Sequence, residues 1–167
     1  MAQGKEAPLI AADQQPRDRS VRWLALAAFG WAVIFAALSF FWAAGGKTGL
    51  HPLEQAGGSG GIWVAANLLA GLLKLCLGVG ALAMVGAWLP RALRRPLRIM
   101  IWLAGVGMLL YGILGLGSDI LHVAGAIGAD AATRHWFLIY LVLWDPWWML
   151  GGALFSTLAW RTHPSRR

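Results

Sequence analysis

Acidic side chains are scarce in this chain. Only seven of its 167 residues are Asp or Glu, and charged residues of both signs make up 13%. A soluble domain carries about 25% charged residues. With 59% hydrophobic residues and a mean hydropathy of +0.62, there is too little polar surface to cover a water-soluble globule, and part of the solvent must be lipid. Cysteine is nearly absent. The single Cys76 lies in an apolar run, cannot form an intramolecular disulfide and says nothing of redox compartment. Also missing are a phosphate-binding Walker loop, a dinucleotide fingerprint, an HExxH pair and a nucleophile elbow. Internal repeats and low-complexity stretches are absent too.

What the chain does have is four long apolar runs, each supplying the roughly 20 residues a membrane-spanning helix needs. They cover about 21–44, 62–88, 98–127 and 136–160. The expected fold is therefore all-α, a polytopic four-helix transmembrane bundle over 21–160. Residues 1–20, polar and holding Pro8 and Pro16, read as a disordered cytoplasmic tail. The first run exceeds the roughly 7–15-residue core of a secretory signal, so it reads as a retained helix. Gly45, Gly46, Gly49, Pro52, Gly57, Gly58, Gly60 and Gly61 mark a loop. Leu89-Pro90 ends the second helix before a turn carrying Arg91, Arg94, Arg95 and Arg98; Asp130 to His135 form the last loop, and 161–167 is a basic tail.

The net charge of +7 does not point to nucleic acid, because the cations sit at the ends of apolar runs and form no stripe. Eleven of the fourteen Lys and Arg lie in the two tails and the middle turn. Lys47 and Arg134 alone lie in the other two loops, and Lys74 lies inside the second helix. The positive-inside rule then places both termini in the cytoplasm of a multi-pass protein of the bacterial inner membrane. Tryptophan gives an independent check. Trp23, Trp88, Trp102 and Trp160 fall at the inner boundary and Trp42, Trp63 and Trp136 at the outer one, as an interfacial belt should. Small residues recur on the helices: Ala28, Ala32 and Ala36; Ala66 and Ala70; Gly105, Gly107, Gly112, Gly115 and Gly117; Gly151 and Gly152. They suit close contact within one bundle or, as the alternative, a homodimer seam. The oligomeric state is left open.

Ionisable groups in hydrocarbon cost about 2.5–3.5 kcal/mol each on the insertion scale. Lys74 and Asp145 lie well inside the runs, and Asp119 and His122 lie nearer the outer edge. At about 1.5 Å per residue, Lys74 is about 18 Å and Asp145 about 14 Å below the outer boundary. The two heights predict an intramembrane pair, with both pointing into the bundle. Asn67 shares a face with Lys74, and Asp119 shares one with His122. Tyr111 and Ser118 add hydroxyls on the third helix, and Ser39 and Trp42 add polar groups on the first. The segment Trp144-Asp145-Pro146-Trp147-Trp148 predicts a kink, since Pro146 has no N–H for the carbonyl of Val142. The cluster of Lys74, Asp145, Asn67, Asp119, His122, Ser39, Trp42, Tyr111, Trp144 and Trp148 reads as a structural network, a ligand site or a catalytic site. Two residues, Asp119 and His122, are too few to argue a metal, and no haem, quinone or other cofactor motif is present.

Ser39-Phe40-Phe41-Trp42-Ala43-Ala44-Gly45-Gly46, followed by Gly49-Leu50, resembles the aromatic-Trp-Ala-x-Gly-Gly stretch of the bacterial DUF3995 family. The basic turn after helix 2 and the run from Leu143-Trp144-Asp145-Pro146-Trp147-Trp148 to Gly151-Gly152 are similar too. The resemblance spans most of 21–160 and implies the four-helix membrane fold; the family is of unknown function, so it implies no activity. Ser39 stands where many members carry a histidine, which weakens any histidine-based mechanism. Three functions follow as expectations: a membrane protein binding a small apolar or amphipathic ligand or a partner helix; an enzyme on a lipid-like substrate with Asp145 or His122 as acid–base group; and a transporter subunit using Lys74 and Asp145. The non-enzymatic reading comes first. The lipid bilayer is the expected partner, and nucleic acid is not.

Overall fold

The computed structural model describes the backbone of residues 7–50, 60–128 and 131–163. Residues 1–6 of the expected tail, 51–59 of the first loop (His51 and Pro52 among them), Asp130, and the tail cations Arg166 and Arg167 lie outside the described residues. All described elements are helical: α1 (Ala7–Ala43), α2 (Gly61–Val85), α3 (Arg91–Val123), α4 (Ala131–Ile139), a π-helical turn over Tyr140–Trp144, and α5 (Asp145–Arg161). Four stretches are long and apolar enough to cross a membrane: Arg19–Ala43, Gly61–Val85, Arg91–Val123 and Arg134–Arg161. The architecture is the four-helix membrane bundle, because lipid offers no partner for an open backbone group and each span must bond within itself. In the last span α4, the π turn and α5 run on as one rod.

Two expected boundaries differ. The stretch expected as a disordered tail is helical from Ala7 onward. Pro8 falls in the helix's first turn, where its missing N–H costs nothing, and the Ala, Gln and Arg that follow favour helix. The arginines expected as a turn are instead the first turns of α3, which starts from Pro90. The reversal is shorter because α2 stops at Gly86, whose N–H still bonds back to the carbonyls of Leu82 and Ala83 while its extended backbone (φ −78°, ψ 144°) turns the chain out of the helix. Arg94 ties this corner by donating to the carbonyls of Gly86 and Leu89, both at 3.3 Å. Arg98 donates to the carbonyl of Thr162 at the end of α5, 3.4 Å away. Both guanidiniums thus serve carbonyls that a helix end leaves unpaired.

The small residues let the helices approach within one bundle. α1 packs most extensively on α2, with Ala28, Ala32 and Ala36 all buried, and a Cβ at Gly78 would stand 2.8 Å from that of Ala32. α3 packs on α5 through Gly105 and Gly152. A Cβ at either would meet backbone of the other helix at 2.6 Å. α1 meets α5 where the Trp31 ring covers Gly151, and the Trp31 indole donates to the carbonyl of Trp147 (3.0 Å). Phe155, Ile101 and Leu158 fill the interior. α2 and α3, consecutive in the chain, touch only lightly. The space between them is a crevice of about 600 Å³.

Candidate functional site

A chamber of about 300 Å³ lies between α1, α2, α3 and the π turn, in the half of the bundle away from the Arg91–Arg98 corner. Its wall includes eight of the ten residues expected in the polar cluster: Ser39, Trp42, Asn67, Lys74, Tyr111, Trp144, Asp145 and Trp148. Asp119 and His122 are not on the wall. His122 Nδ1 donates to the Ser118 carbonyl (2.8 Å), and the ring stacks on Phe137 with ring centres 4.1 Å apart. It is satisfied at the rim of the helix. Asp119 is buried behind Asp145.

The expected ion pair between Lys74 and Asp145 does not form. The Lys74 ammonium donates to Ser39 Oγ at 2.7 Å and sits 3.7 Å above the centre of the Phe35 ring. Ser39 itself donates to the Phe35 carbonyl one turn back. Equal heights place two residues at one level without fixing which neighbour each faces. α2 packs on α1, so its lysine meets α1. The cation is held by an aromatic face and a hydroxyl, and no carboxylate touches it among the described residues.

Asp145 is 3% exposed. Its Oδ1 lies against α3, where a Cβ at Gly115 would stand 2.5 Å from it, and its carboxyl stands beside that of Asp119, one helical turn beyond Gly115. The other oxygen, Oδ2, is buried with no hydrogen-bond partner. An orphaned buried acceptor of this kind calls for an explanation in function or in a missing bound molecule.

Asp145 is aimed by the irregularity beside it. The π turn adds a residue to the helix before Pro146, so that the Asp145 N–H reaches back to the Tyr140 carbonyl. The expected kink is thus realised as a π turn, a feature frequent at functional sites. Without the extra residue, Trp144 and Asp145 would be rotated off the chamber wall. Trp144 uses its position to donate to the Gly49 carbonyl (3.2 Å), and Trp42 donates to the carbonyl of Thr48 (3.0 Å). The two indoles hold the segment after α1 across the chamber. Gly49 has φ +81°, and a Cβ there would stand 3.1 Å from the Trp144 ring. Gly49→Ala is therefore expected to cost about 1–2 kcal/mol from the left-handed backbone alone. Thermal unfolding in detergent checks it, with Gly117→Ala, whose Cβ would meet nothing within 4 Å, as the neutral control.

Phe35 and the backbone of Gly49 were not expected at the site. Phe35 had a signal: it lies four residues before Ser39, hence on the same helix face. Gly49 had none, since a backbone carbonyl carries no mark in the sequence.

The profile of the family described as "Protein of unknown function (DUF3995)" matches residues 32–155. The chain belongs to the DUF3995 family. Every residue lining the chamber falls within the part that matches DUF3995. No curated protein and no solved structure matches the chain. In this chain the chamber has the Lys74 cation on one wall, the Asp145 residue on another and aromatic rings between them. No group of three or more His, Cys, Asp or Glu able to hold a metal occurs among the described residues.

Proposed function

We propose that this protein binds a small amphipathic molecule, with the polar part of the ligand in the chamber. The observation that carries the reading is a chamber inside a membrane bundle whose mainly aromatic and apolar wall also holds Lys74, Asn67 and Asp145, the last with a buried Oδ2 that has no hydrogen-bond partner. A lone acceptor in such surroundings costs about 1–3 kcal/mol. A bound donor removes that cost. The chamber volume is at the lower end of small-molecule sites, which start near about 300 Å³. It fits a head group. Native mass spectrometry of protein purified in mild detergent tests this. A defined small-molecule adduct is expected on the wild type and is expected to be lost in Asp145→Asn, whose amide pairs with Asp119 and weakens the acceptor. No adduct on the wild type, together with a less stable variant, would make the cluster purely structural.

The proposed location is the bacterial cytoplasmic membrane with both ends inside, supported by eleven Lys and Arg at one side of the spans against two at the other. Under this orientation the chamber opens toward the outer face. Alkaline phosphatase fused after Gly128 is expected to be active, and green fluorescent protein fused after Arg167 to be fluorescent. The reverse pattern would invert the topology.

A further inference from the structure

The crevice between α2 and α3 leads away from the chamber, toward the Arg91–Arg98 corner. Its wall is almost wholly apolar, and on α3 it runs from Tyr111 down to Leu97. Leu73 and Met100, both largely exposed, line it and leave it open sideways to the bilayer. From Tyr111 to the boundary residue Trp102 is about 14 Å along the axis. One leaflet's share of a hydrocarbon core about 30 Å thick is about 15 Å. From Trp102 to Leu97 is about 8 Å more, which reaches into the head-group layer of a bilayer about 40–45 Å thick in all. The crevice therefore has the depth of one leaflet, with its lower end among the head groups on the corner side.

That lower end is cationic. Arg94 lies one turn before Leu97 on the same helix face, and Arg91, Arg95 and Arg98 flank it. Arg94 and Arg98 each donate to helix-end carbonyls, but a guanidinium has five N–H groups, so donors remain on both. Arg91 and Arg95 are exposed, and no hydrogen bond or ion pair holds them among the described residues. Residues 55–118 contain no Asp or Glu, so neither α2 nor α3 supplies a counter-charge at this end. A guanidinium fork matches a phosphate in geometry as well as in charge, and basic pockets between membrane helices hold anionic head groups.

We propose that the α2–α3 crevice and the arginine corner together bind one anionic phospholipid of the phosphatidylglycerol type, with an acyl chain in the crevice and the phosphate on the arginines. A zwitterionic head brings its own ammonium to a corner that already holds four cations. A phosphatidylglycerol head brings the phosphate charge and no cation. The site is a second one, and it stands or falls apart from the chamber.

The test is a native mass spectrometry titration of the full chain in detergent with dioleoyl-phosphatidylglycerol and dioleoyl-phosphatidylcholine, which share their chains and differ in net charge. The lipid's own mass separates its adduct from any molecule held in the chamber. A one-to-one phosphatidylglycerol adduct is expected, about tenfold tighter than the phosphatidylcholine one, with the preference falling as ammonium acetate is raised from about 0.1 M to about 1 M. In Arg91→Gln/Arg95→Gln, which removes no bond of the corner, the preference is expected to shrink to about twofold or less. Gly107→Leu fills the crevice where a Cβ meets nothing within 4 Å, and it is expected to weaken both lipids about tenfold while the preference stays. Equal binding of the two lipids by the wild type, or a preference that salt and the arginine variant leave untouched, would overturn the corner as the seat of the head. Phosphatidylglycerol binding unchanged by Gly107→Leu would overturn the crevice as the seat of the chain. No adduct with either lipid would overturn the site as a whole.

Discussion

Gly152→Ala is expected to destabilise the bundle by about 3 kcal/mol, the upper end of what overpacking costs. The added methyl would stand 2.6 Å from the backbone nitrogen of Leu109 and 2.7 Å from the carbonyl oxygen of Gly105. Neither atom can swing aside as a side-chain tip can. α3 and α5 would have to separate along a seam where a Cβ at Gly112 would also stand 2.9 Å from the Asp145 carbonyl oxygen. Lipid gives the helices no hydrophobic incentive to stay together once the packing is spoiled. The contrast is Gly107→Ala. Its Cβ meets nothing within 4 Å, and alanine is the better helix former by about 1 kcal/mol, so the change is neutral or mildly stabilising. Unfolding in mixed detergent and dodecyl sulfate micelles, followed by tryptophan fluorescence, measures both. A Gly152→Ala variant within about 0.5 kcal/mol of the wild type would mean that α3 and α5 do not cross at this glycine.

The contrast also shows what the sequence can and cannot reveal. Hydropathy exposes the four spans, because each must satisfy its own backbone in lipid and so must be a long apolar helix. It leaves hidden which glycines touch another helix. Gly105 and Gly107 are two residues apart and alike in sequence, yet one is buried against Ser156 and the other faces open space. The polar cluster was legible as a set for the same reason the spans were: a polar residue in an apolar run stands out. Its internal pairing was not legible. Depth gives the height of Lys74 and Asp145 and omits the direction each faces around its helix. That direction depends on which helices are neighbours. The heights of Ser39 and Lys74 were equally available, but a hydroxyl does not announce itself as the partner of an ammonium when a carboxylate lies at a similar depth. Pro146 announced a break in the helix. The π turn that resolves it depends on how Trp144 and Asp145 pack, which is a tertiary matter.

Lys74→Met is expected to raise the stability of the protein and to abolish ligand binding, a combination that separates a functional lysine from a structural one. The ammonium sits among hydrocarbon and aromatic groups with one hydroxyl partner, and a lysine at mid-bilayer depth costs about 2.5–3.5 kcal/mol on the insertion scale. The chamber wall leaves it half-buried, so relief of part of that cost, about 1–2 kcal/mol, is the expected gain. Methionine keeps an unbranched chain over the Phe35 ring. Ser39 keeps its bond to the Phe35 carbonyl. No carboxylate loses a direct partner, because Lys74 is held by Ser39 and Phe35 and Asp145 lies against α3. Were Lys74 a structural ion pair, removing it would instead strand a buried charge and cost about 3–5 kcal/mol. Thermal unfolding and native mass spectrometry of the co-purified adduct, run on the same preparation, read the two consequences side by side. A higher midpoint with binding reduced at least about tenfold identifies Lys74 as a group kept at the expense of stability for the molecule it holds. A lower midpoint with binding intact would assign it to the scaffold and leave Asp145 as the one polar anchor of the chamber.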